Sequence, residues 1–118
     1  MKIKVKLSIV NEKGDSYMGI GIVWLLRKIK NFGSIKKAAE DMRMSYAKAH
    51  KILNRCEQEL EKKLLIKTIG GKNRGGATLT DFAEHFINRY DLYQKSVKEF
   101  AEREFKKFKA DVDDLKQA

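Results

Sequence analysis

The stretch that decides the fold is GSIKKAAEDMRMSYAKAHKILNRCEQEL, which runs from Gly33 to Leu60. Its first half places apolar residues at helical spacing, namely Ile35, Ala38, Ala39 and Met42. Two adjacent alanines leave room for another helix to approach closely. The pattern therefore predicts a short helix that packs against a neighbouring helix.

The second half of the stretch predicts another helix, joined to the first by a tight connection at Arg43 and Met44. Ser34 and Ser45 precede the two helical patterns and are good N-cap residues. The inward stripe of the second helix is Ala49, Leu53, Cys56 and Leu60, and its opposite face is basic. Two capped helices with a basic outward face predict a helix-turn-helix, which places one helix in the DNA major groove.

A glycine-rich segment follows the helix-turn-helix. Residues 64–69 and 77–79 are short strand candidates, and GGKNRGG at 70–76 holds four glycines and two cations between them. Glycines let a backbone approach the sugar–phosphate chain closely, and the cations would bind phosphate. The Walker order of glycine and lysine is missing. We therefore expect a wing hairpin, which completes a winged helix-turn-helix.

The chain before Gly33 predicts a strand, a short return strand and a helix. Lys2–Val10 alternates polar with apolar residues, the period of a half-buried strand. Ser16–Met18 would return as a second strand, and Gly19–Phe32 has helical spacing. We expect Trp24 to anchor that helix in the core and Gly33 to end it in the left-handed conformation.

The last third of the chain predicts one long helix, capped by Thr80 and running to about Lys109. Its apolar residues Phe86, Tyr90, Tyr93, Val97 and Phe100 are spaced 4, 3, 4 and 3, which is typical of a coiled-coil seam. Such a seam would be an exposed patch in a monomer, and a two-fold dimer would bury it. We expect residues 1–79 to form the head (helix-turn-helix 34–62, wing 64–79) and residues 80–118 to form a dimerisation helix and tail.

The head and the C-terminal part also differ in net charge. The 118-residue chain carries a net charge of +10 and has a pI of about 9.7. Residues 1–76 hold 18 Lys and Arg against 7 Asp and Glu, whereas residues 77–118 hold 8 against 9. A strongly basic head favours nucleic acid as partner. The fold class is mainly α with small β elements.

Other classes of protein find little support in the sequence. Cys56 is the only cysteine, so we expect a reduced core thiol and no intramolecular disulfide. His50 and His85 lie in different helices without metal-ligand spacing, and no nucleophile motif is present. We expect no enzyme, no cofactor and no metal. No apolar run approaches the roughly 20 residues of a membrane span, so we expect a cytoplasmic protein without a membrane partner.

Five short motifs resemble the DNA-binding domain of ModE-type molybdate-responsive regulators, relatives of the LysR-type winged helix-turn-helix family. They are GSIKKAA at 33–39, SY at 45–46, GGKNRGGA at 70–77, LT at 79–80 and YDL at 90–92. The resemblance covers about residues 2–95, and the paired-glycine wing is its most specific part. It implies the winged fold and DNA as the ligand.

The resemblance also implies site residues. The more general LysR-type pattern aligns without gaps through the helix-turn-helix, and its base- and phosphate-contacting positions fall on Tyr46, Ala47, His50 and Lys51. His50 departs from the family, because ModE-type proteins usually have Trp there and LysR-type proteins Ser. The full set of expected DNA-binding residues is Ser34, Lys36, Ser45, Tyr46, Ala47, Lys48, His50, Lys51, Arg55, Lys72, Asn73 and Arg74.

Our interpretation is a homodimeric transcriptional regulator that binds double-stranded DNA sequence-specifically, with recognition helix 45–62 in the major groove and the wing on the backbone. The C-terminal molybdate-binding domains of the family are absent from the sequence, so we expect no molybdate sensing by this chain alone. A separate effector-sensing protein would supply regulation. Two alternatives stay open: a non-specific architectural DNA-binding protein, and a basic helical adaptor that binds another protein.

Overall fold

The computed structural model describes residues 1–68 and 76–118, and this part of the chain forms a mainly α winged-helix fold with a long C-terminal helix. The elements in chain order are β1 (Ser8–Val10), β2 (Ser16–Gly19), α1 (Ile20–Phe32), α2 (Ile35–Asp41), α3 (Tyr46–Leu60), β3 (Leu65–Lys67), β4 (Ala77–Leu79) and α4 (Asp81–Lys116). The predicted fold class is confirmed.

The chain divides into two compact units. Ser8–Ile87 forms the head unit, and Met1–Leu7 together with Asn88–Ala118 forms the tail unit. The boundary along the sequence falls inside α4.

Three helices build the core of the head unit. Leu26 and Ile29 of α1 are fully buried, as are Ala38 of α2 and Ala49 of α3. Burying a leucine or isoleucine side chain contributes about 1.5–3 kcal/mol. The alanines carry no bulk beyond Cβ, which is what close packing of α2 on α3 requires. The small-residue pattern in the sequence therefore has the structural role expected of it.

The predicted C-cap of α1 and the predicted N-caps of α2 and α3 are confirmed. Gly33 ends α1 in the left-handed region, with φ 68°, and its N–H donates to the Ile29 carbonyl over 2.7 Å. The Ser34 side chain accepts the Lys37 N–H at 3.2 Å, and the Ser45 side chain accepts the Lys48 N–H at 3.1 Å. Each serine thereby satisfies an N–H group that has no partner within its helix.

The connection between α2 and α3 is closed by backbone hydrogen bonds. The Met44 N–H donates to the Ala39 carbonyl over 3.0 Å, the long bond of a Schellman motif. Arg43 takes the left-handed conformation there, with φ 56°. Because the turn is fixed by the backbone, α3 leaves it in one defined direction.

Both hairpins are antiparallel. β1 pairs with β2 from Ser8 opposite Gly19, and β3 pairs with β4 from Leu65 opposite Leu79. The wing hairpin is tied to the start of the helix-turn-helix, because the Ala77 N–H donates to the Gly33 carbonyl over 2.9 Å. The wing strands are thus held in place by the same loop that separates α1 from α2.

The predicted N-terminal strand is shorter in the structure. β2 offers partners only to Ser8–Val10, so Met1–Leu7 has no strand beside it. Its alternation persists nevertheless: Ile3 and Val5 are half-buried, whereas Lys4 and Lys6 are exposed. This pattern is what an extended segment shows when one of its sides is covered.

The predicted core position of Trp24 is wrong, because its side chain is 54% exposed. The buried residues of α1 are Val23, Leu25, Leu26 and Ile29. At about 100° per residue these four occupy one arc of the helix, and Trp24 lies opposite the middle of that arc. Its size and apolar character suggested burial, but its helical position decides its exposure.

α4 begins as predicted and ends later than predicted. The Thr80 hydroxyl accepts the Ala83 N–H at 3.1 Å and donates to the Lys63 carbonyl over 2.8 Å. The helix then continues for 36 residues to Lys116, beyond the expected end near Lys109. No glycine or proline interrupts it.

Candidate nucleic-acid interface

α3 presents its predicted basic face to solvent. Tyr46, Ala47 and Lys51 are exposed, whereas Leu53 and Cys56 on the opposite side are buried. Because the buried stripe fixes the rotation of α3 about its axis, the outward direction of the basic face follows from packing. This is the arrangement that a helix needs in order to enter a groove.

The exposed face of α3 borders a cleft of about 680 Å³. Its lining residues in the described part of the chain are Tyr46, Ala47, His50, Lys51, Asn54, Arg55, Gln58 and Glu59. Five of these are among the predicted DNA-binding residues. The structure therefore brings Tyr46, Ala47, His50, Lys51 and Arg55 together on one surface, as the sequence predicted.

Lys48 lies to the side of this surface. It borders a second cavity, of about 360 Å³, together with Met42, Met44 and residues of β2 and α1. Lys48 is exposed, so its ammonium group is available to a ligand. Its position places it nearer the β1–β2 hairpin than the centre of the α3 face.

His50 is the best-defined polar group on the α3 face. Its Nε2 lies 2.8 Å from Nζ of Lys67, and its Nδ1 lies 3.1 Å from the side-chain amide of Asn54. The Tyr46 ring lies against it, with the ring centroids 5.7 Å apart. Lys67 comes from β3, so this contact joins the wing to the recognition helix.

Arg55 is partly engaged within the protein. Its guanidinium lies 3.5 Å from the Asp15 carboxylate, in the turn between β1 and β2. A second contact holds the same turn, because the Asn11 amide donates to Glu59 over 2.9 Å. Both groups of the Arg55 pair are about half exposed, so the pair contributes little to stability. Arg55 is therefore available to a phosphate at small cost.

Lys51 has no ion-pair partner among residues 1–68 and 76–118. Lys36 is exposed on α2. The hydroxyl oxygens of Ser34 and Ser45 accept their capping bonds, and each hydroxyl keeps a proton to donate. All four remain candidate DNA contacts.

The predicted contacts Lys72, Asn73 and Arg74 lie outside the described residues. The described base of the wing is well anchored. The Glu57 carboxylate accepts the Leu64 N–H at 2.7 Å, and the Thr68 N–H donates to the Gly76 carbonyl over 3.0 Å. The strands that lead into and out of the loop are therefore fixed on α3 and on each other.

The predicted dimer seam is divided between covered and open side chains. Phe86 is half-buried and stacks on Phe82, with centroids 5.7 Å apart. Tyr90 is buried in the tail unit, where its hydroxyl donates to the Leu7 carbonyl over 3.2 Å. Burial, followed by the proximity of Tyr93 and Asp91, raises the pKa of the Tyr90 phenol. Val97 is half-buried.

Four of the exposed large apolar side chains of the tail unit form one stripe along α4. Tyr93, Phe100, Phe108 and Leu115 are between 53% and 74% exposed. Their spacing of 7, 8 and 7 residues keeps them within an arc of roughly 80° on a helix that turns 100° per residue. We refer to these four residues as the apolar stripe. Leu115 was not predicted, because the expected helix ended before it.

Reactive and metal-binding chemistry finds no support in residues 1–68 and 76–118. No group of three His, Cys, Asp or Glu side chains there could hold a metal ion. Burial raises the pKa of the Cys56 thiol to about 11, and the neighbouring Glu57 carboxylate adds to the shift. A thiol that keeps its proton at neutral pH is a poor nucleophile. Across the same residues, no helix is both long and apolar enough to cross a membrane.

Lys67 and Asn54 both contact His50 but are not among the predicted DNA-binding residues, although the sequence places Asn54 on the outward face of α3. Asn54 follows His50 by four residues on α3, a spacing that does predict contact. Lys67 gave no such signal, because the side of a three-residue strand that faces a helix is set by the packing of the hairpin.

A capped helix-turn-helix with an anchored wing and a basic outward face defines the class of protein: a winged helix-turn-helix protein. No family model matches the chain. Three curated relatives are similar to part of it. They are Transcriptional regulator ModE of Haemophilus influenzae, the DNA-binding transcriptional dual regulator ModE of Escherichia coli K12, and the Molybdenum transport protein ModE of Azotobacter vinelandii.

The Haemophilus protein is 38% identical over 74 residues, or 63% of this chain and 29% of the relative. The Escherichia protein is 40% identical over 68 residues, or 58% and 26%, and the Azotobacter protein 29% over 83 residues, or 67% and 31%. The resemblance to ModE-type regulators is therefore confirmed over the matched residues. The matched part of this chain spans less than a third of the length of each of these relatives.

Proposed function

We propose that this chain is a DNA-binding transcriptional regulator that acts as a homodimer and reads a specific duplex sequence. α3 lies in the major groove, and the wing residues Lys72, Asn73 and Arg74 contact the adjacent backbone. The observation that carries the proposal is the exposed basic face of α3, whose rotation is fixed by its buried stripe. The Haemophilus and Escherichia relatives, which are named as transcriptional regulators, support the same function.

Specific contacts would come from the first turns of α3. Lys51 supplies a charge without an ion-pair partner in the described chain, and Tyr46 and His50 supply groups that reach base or sugar. Phosphate contacts position a protein on DNA, whereas base contacts specify the sequence. Arg55 and Lys36 flank the base-reading groups and suit the positioning role.

The apolar stripe supports the dimer. Four large apolar side chains, each more than half exposed, lie along one side of α4 in the tail unit. Pairing with the same stripe of a second copy would remove them from water at about 25 cal/mol per Å². Two copies would then present two recognition helices to two half-sites about one turn of DNA apart.

The experiment that tests the proposal is selection of bound duplexes from a random pool at about 150 mM salt, where non-specific phosphate binding is weakened. We expect an enriched inverted repeat. Retention of DNA without an enriched motif would instead indicate an architectural DNA-binding protein. No retained DNA would indicate a basic adaptor whose partner is another protein.

Two substitutions test the docking surface. Lys51→Ala and Arg55→Ala should each weaken binding to the selected duplex by about 1–3 kcal/mol. Lys95→Ala is the matched control, because Lys95 is exposed and lies on the side of α4 opposite the apolar stripe. An unchanged affinity of the Lys51→Ala, Arg55→Ala double variant would contradict this docking surface.

A further inference from the structure

The contact between Lys67 and His50 determines where the protons of the His50 ring lie. A lysine ammonium group has three donors and no acceptor, so a hydrogen bond to Nε2 requires that this nitrogen carry no proton. The 2.8 Å distance is that of a charge-assisted hydrogen bond. A neutral imidazole has one N–H group, which must then be at Nδ1.

The proton on Nδ1 in turn orients Asn54. Nδ1 lies 3.1 Å from the Asn54 nitrogen Nδ2. Because Nδ1 is now a donor, an acceptor must lie at that position, which requires the carboxamide to be turned over so that Oδ1 replaces Nδ2. The two ends of a carboxamide have nearly the same shape, and the hydrogen-bond network decides which end faces a partner. The network thus turns the Asn54 oxygen towards the ring and its NH₂ group away from the ring.

Hydrogen bonds to the strands of the wing hairpin fix the position of Lys67. Glu57 of α3 holds the start of β3 through the N–H groups of Leu64 and Leu65, at 2.7 and 3.4 Å. Lys67 lies opposite Ala77, which is bonded to the Gly33 carbonyl. β3 is thereby fixed beside α3 at one end and to the helix-turn-helix entry at the other. Lys67 is placed by backbone contacts on both sides.

We propose that Lys67 is a positioning residue for base recognition, one that acts through His50 to direct the NH₂ group of Asn54 outward as a donor and so favours guanine over adenine at the contacted base pair. The proposal rests on the proposed function, since it assumes that α3 enters the major groove. Guanine presents two acceptors there, N7 and O6, whereas adenine presents one acceptor and one donor. Asn54 pairs well with adenine when its oxygen is available, and here that oxygen already accepts from His50.

The first test is the protonation of the ring in the free protein. Nitrogen NMR of the histidine side chains at about pH 8 distinguishes the Nδ1–H and Nε2–H tautomers. His85 is the only other histidine and serves as an internal reference, with His85→Gln assigning the signals. We expect the Nδ1–H form for His50, its loss in Lys67→Met, and its retention in Lys67→Arg, which keeps a charged donor. A wild-type His50 in the Nε2–H form, or an unchanged tautomer in Lys67→Met, would overturn the proposal.

The second test uses the duplex selected by the wild-type protein. We expect guanine at the position contacted by Asn54, and a guanine-to-adenine preference that falls about tenfold in Lys67→Met, the size of one base contact. Lys62→Met is the control, because it removes the same charge from an exposed lysine in the same unit. It should leave the ratio of the two affinities unchanged. A preference that falls as much in Lys62→Met as in Lys67→Met would reduce Lys67 to a general phosphate contact and overturn the proposal.

The two tests separate this inference from the function on which it rests. An Nδ1–H ring in a protein that enriches no duplex would overturn the proposed function and, with it, the base preference. An enriched motif together with an Nε2–H ring would leave the proposed function intact and overturn only the role of Lys67.

Discussion

The helix-turn-helix and the distal part of α4 differ in how much of their apolar surface is buried within a single chain. In the helix-turn-helix, short helices are capped, and their apolar residues, such as Ala38 and Leu53, are buried. In the tail unit, the helix has no breaker and keeps large apolar groups such as Phe100 and Phe108 in water. The head therefore folds around its own core, whereas the tail leaves exposed the apolar surface that we propose pairs with a second copy.

The largest expected effect on stability comes from a substitution in the core of the head unit. Leu53→Ala should destabilise the protein by about 2–5 kcal/mol, because the side chain is 2% exposed and its removal leaves a cavity. Urea unfolding followed by circular dichroism measures the change. Phe108→Ala is the comparison in the tail and should cost much less at concentrations where the chain is monomeric. Equal costs would break the distinction between the two regions.

A high-pH effect should also be confined to the head. Burial raises the pKa of the Cys56 thiol from 9.0 to about 11, so the native state keeps a proton that the unfolded state loses first. The stabilisation is complete below pH 9 and is lost as the pH rises through 11. Two pKa units correspond to about 3 kcal/mol.

The measurement is the stability of the wild type minus that of Cys56→Ala, under reducing conditions, from pH 8 to pH 11. Titrating lysines are common to both proteins, so the difference isolates the thiol. We expect the stability difference to move against the wild type by about 2 kcal/mol over this range, because the full effect is reached only above pH 11. A constant difference would mean that the thiol has the same pKa in the native and unfolded states, which would contradict the effect of burial.

A moderate effect is expected at the apolar stripe. The Tyr93→Ser, Phe100→Ser double variant should raise the dimer dissociation constant about 10- to 100-fold, which is about 1.4–2.7 kcal/mol. Sedimentation equilibrium measures it. Leu92→Ser is the control, because Leu92 is equally exposed but lies on another side of the helix. A dimer weakened only by Leu92→Ser would place the interface elsewhere on α4.

The smallest effect should come from a cap. Ser45→Ala removes the acceptor of the Lys48 N–H and should cost about 1 kcal/mol of stability. Thermal unfolding checks this, with Ser45→Asp as the control that keeps an acceptor. Because the cap also fixes the first turn of α3, the alanine variant should weaken DNA binding in addition. A stability loss without any loss of DNA affinity would separate the cap from the site.

Much of the fold could be predicted because its signals are local. Ser34, Ser45 and Thr80 cap helices because the cap and the N–H it binds lie within three residues of each other. The left-handed Gly33 is equally local. Trp24 was mispredicted because its apolar character was weighed above its helical angle. The strand before Ser8 was overestimated because pairing depends on the length of β2, which the alternation cannot report.

The candidate site likewise combines residues that local spacing predicts with contacts that depend on residues distant in the sequence. The α3 face follows from helical spacing, so Tyr46, His50 and Lys51 were identified as one surface. The Lys67–His50 contact joins residues 17 apart through a hairpin, and no periodicity encodes it. Tyr90 shows the reverse case, because its spacing suggested a seam, whereas its hydroxyl bonds to Leu7, 83 residues earlier.

The backbone of Gly33 links the end of α1 to the wing. Its N–H donates to the Ile29 carbonyl, and its own carbonyl accepts the Ala77 N–H, so the base of the hairpin is held by contacts that do not involve residues 69–75. Under the proposed function, substitutions on α3 would change which bases are read, whereas substitutions in residues 69–75 would change the affinity for the DNA backbone. Base specificity and backbone affinity could then be altered separately, in evolution or by protein engineering.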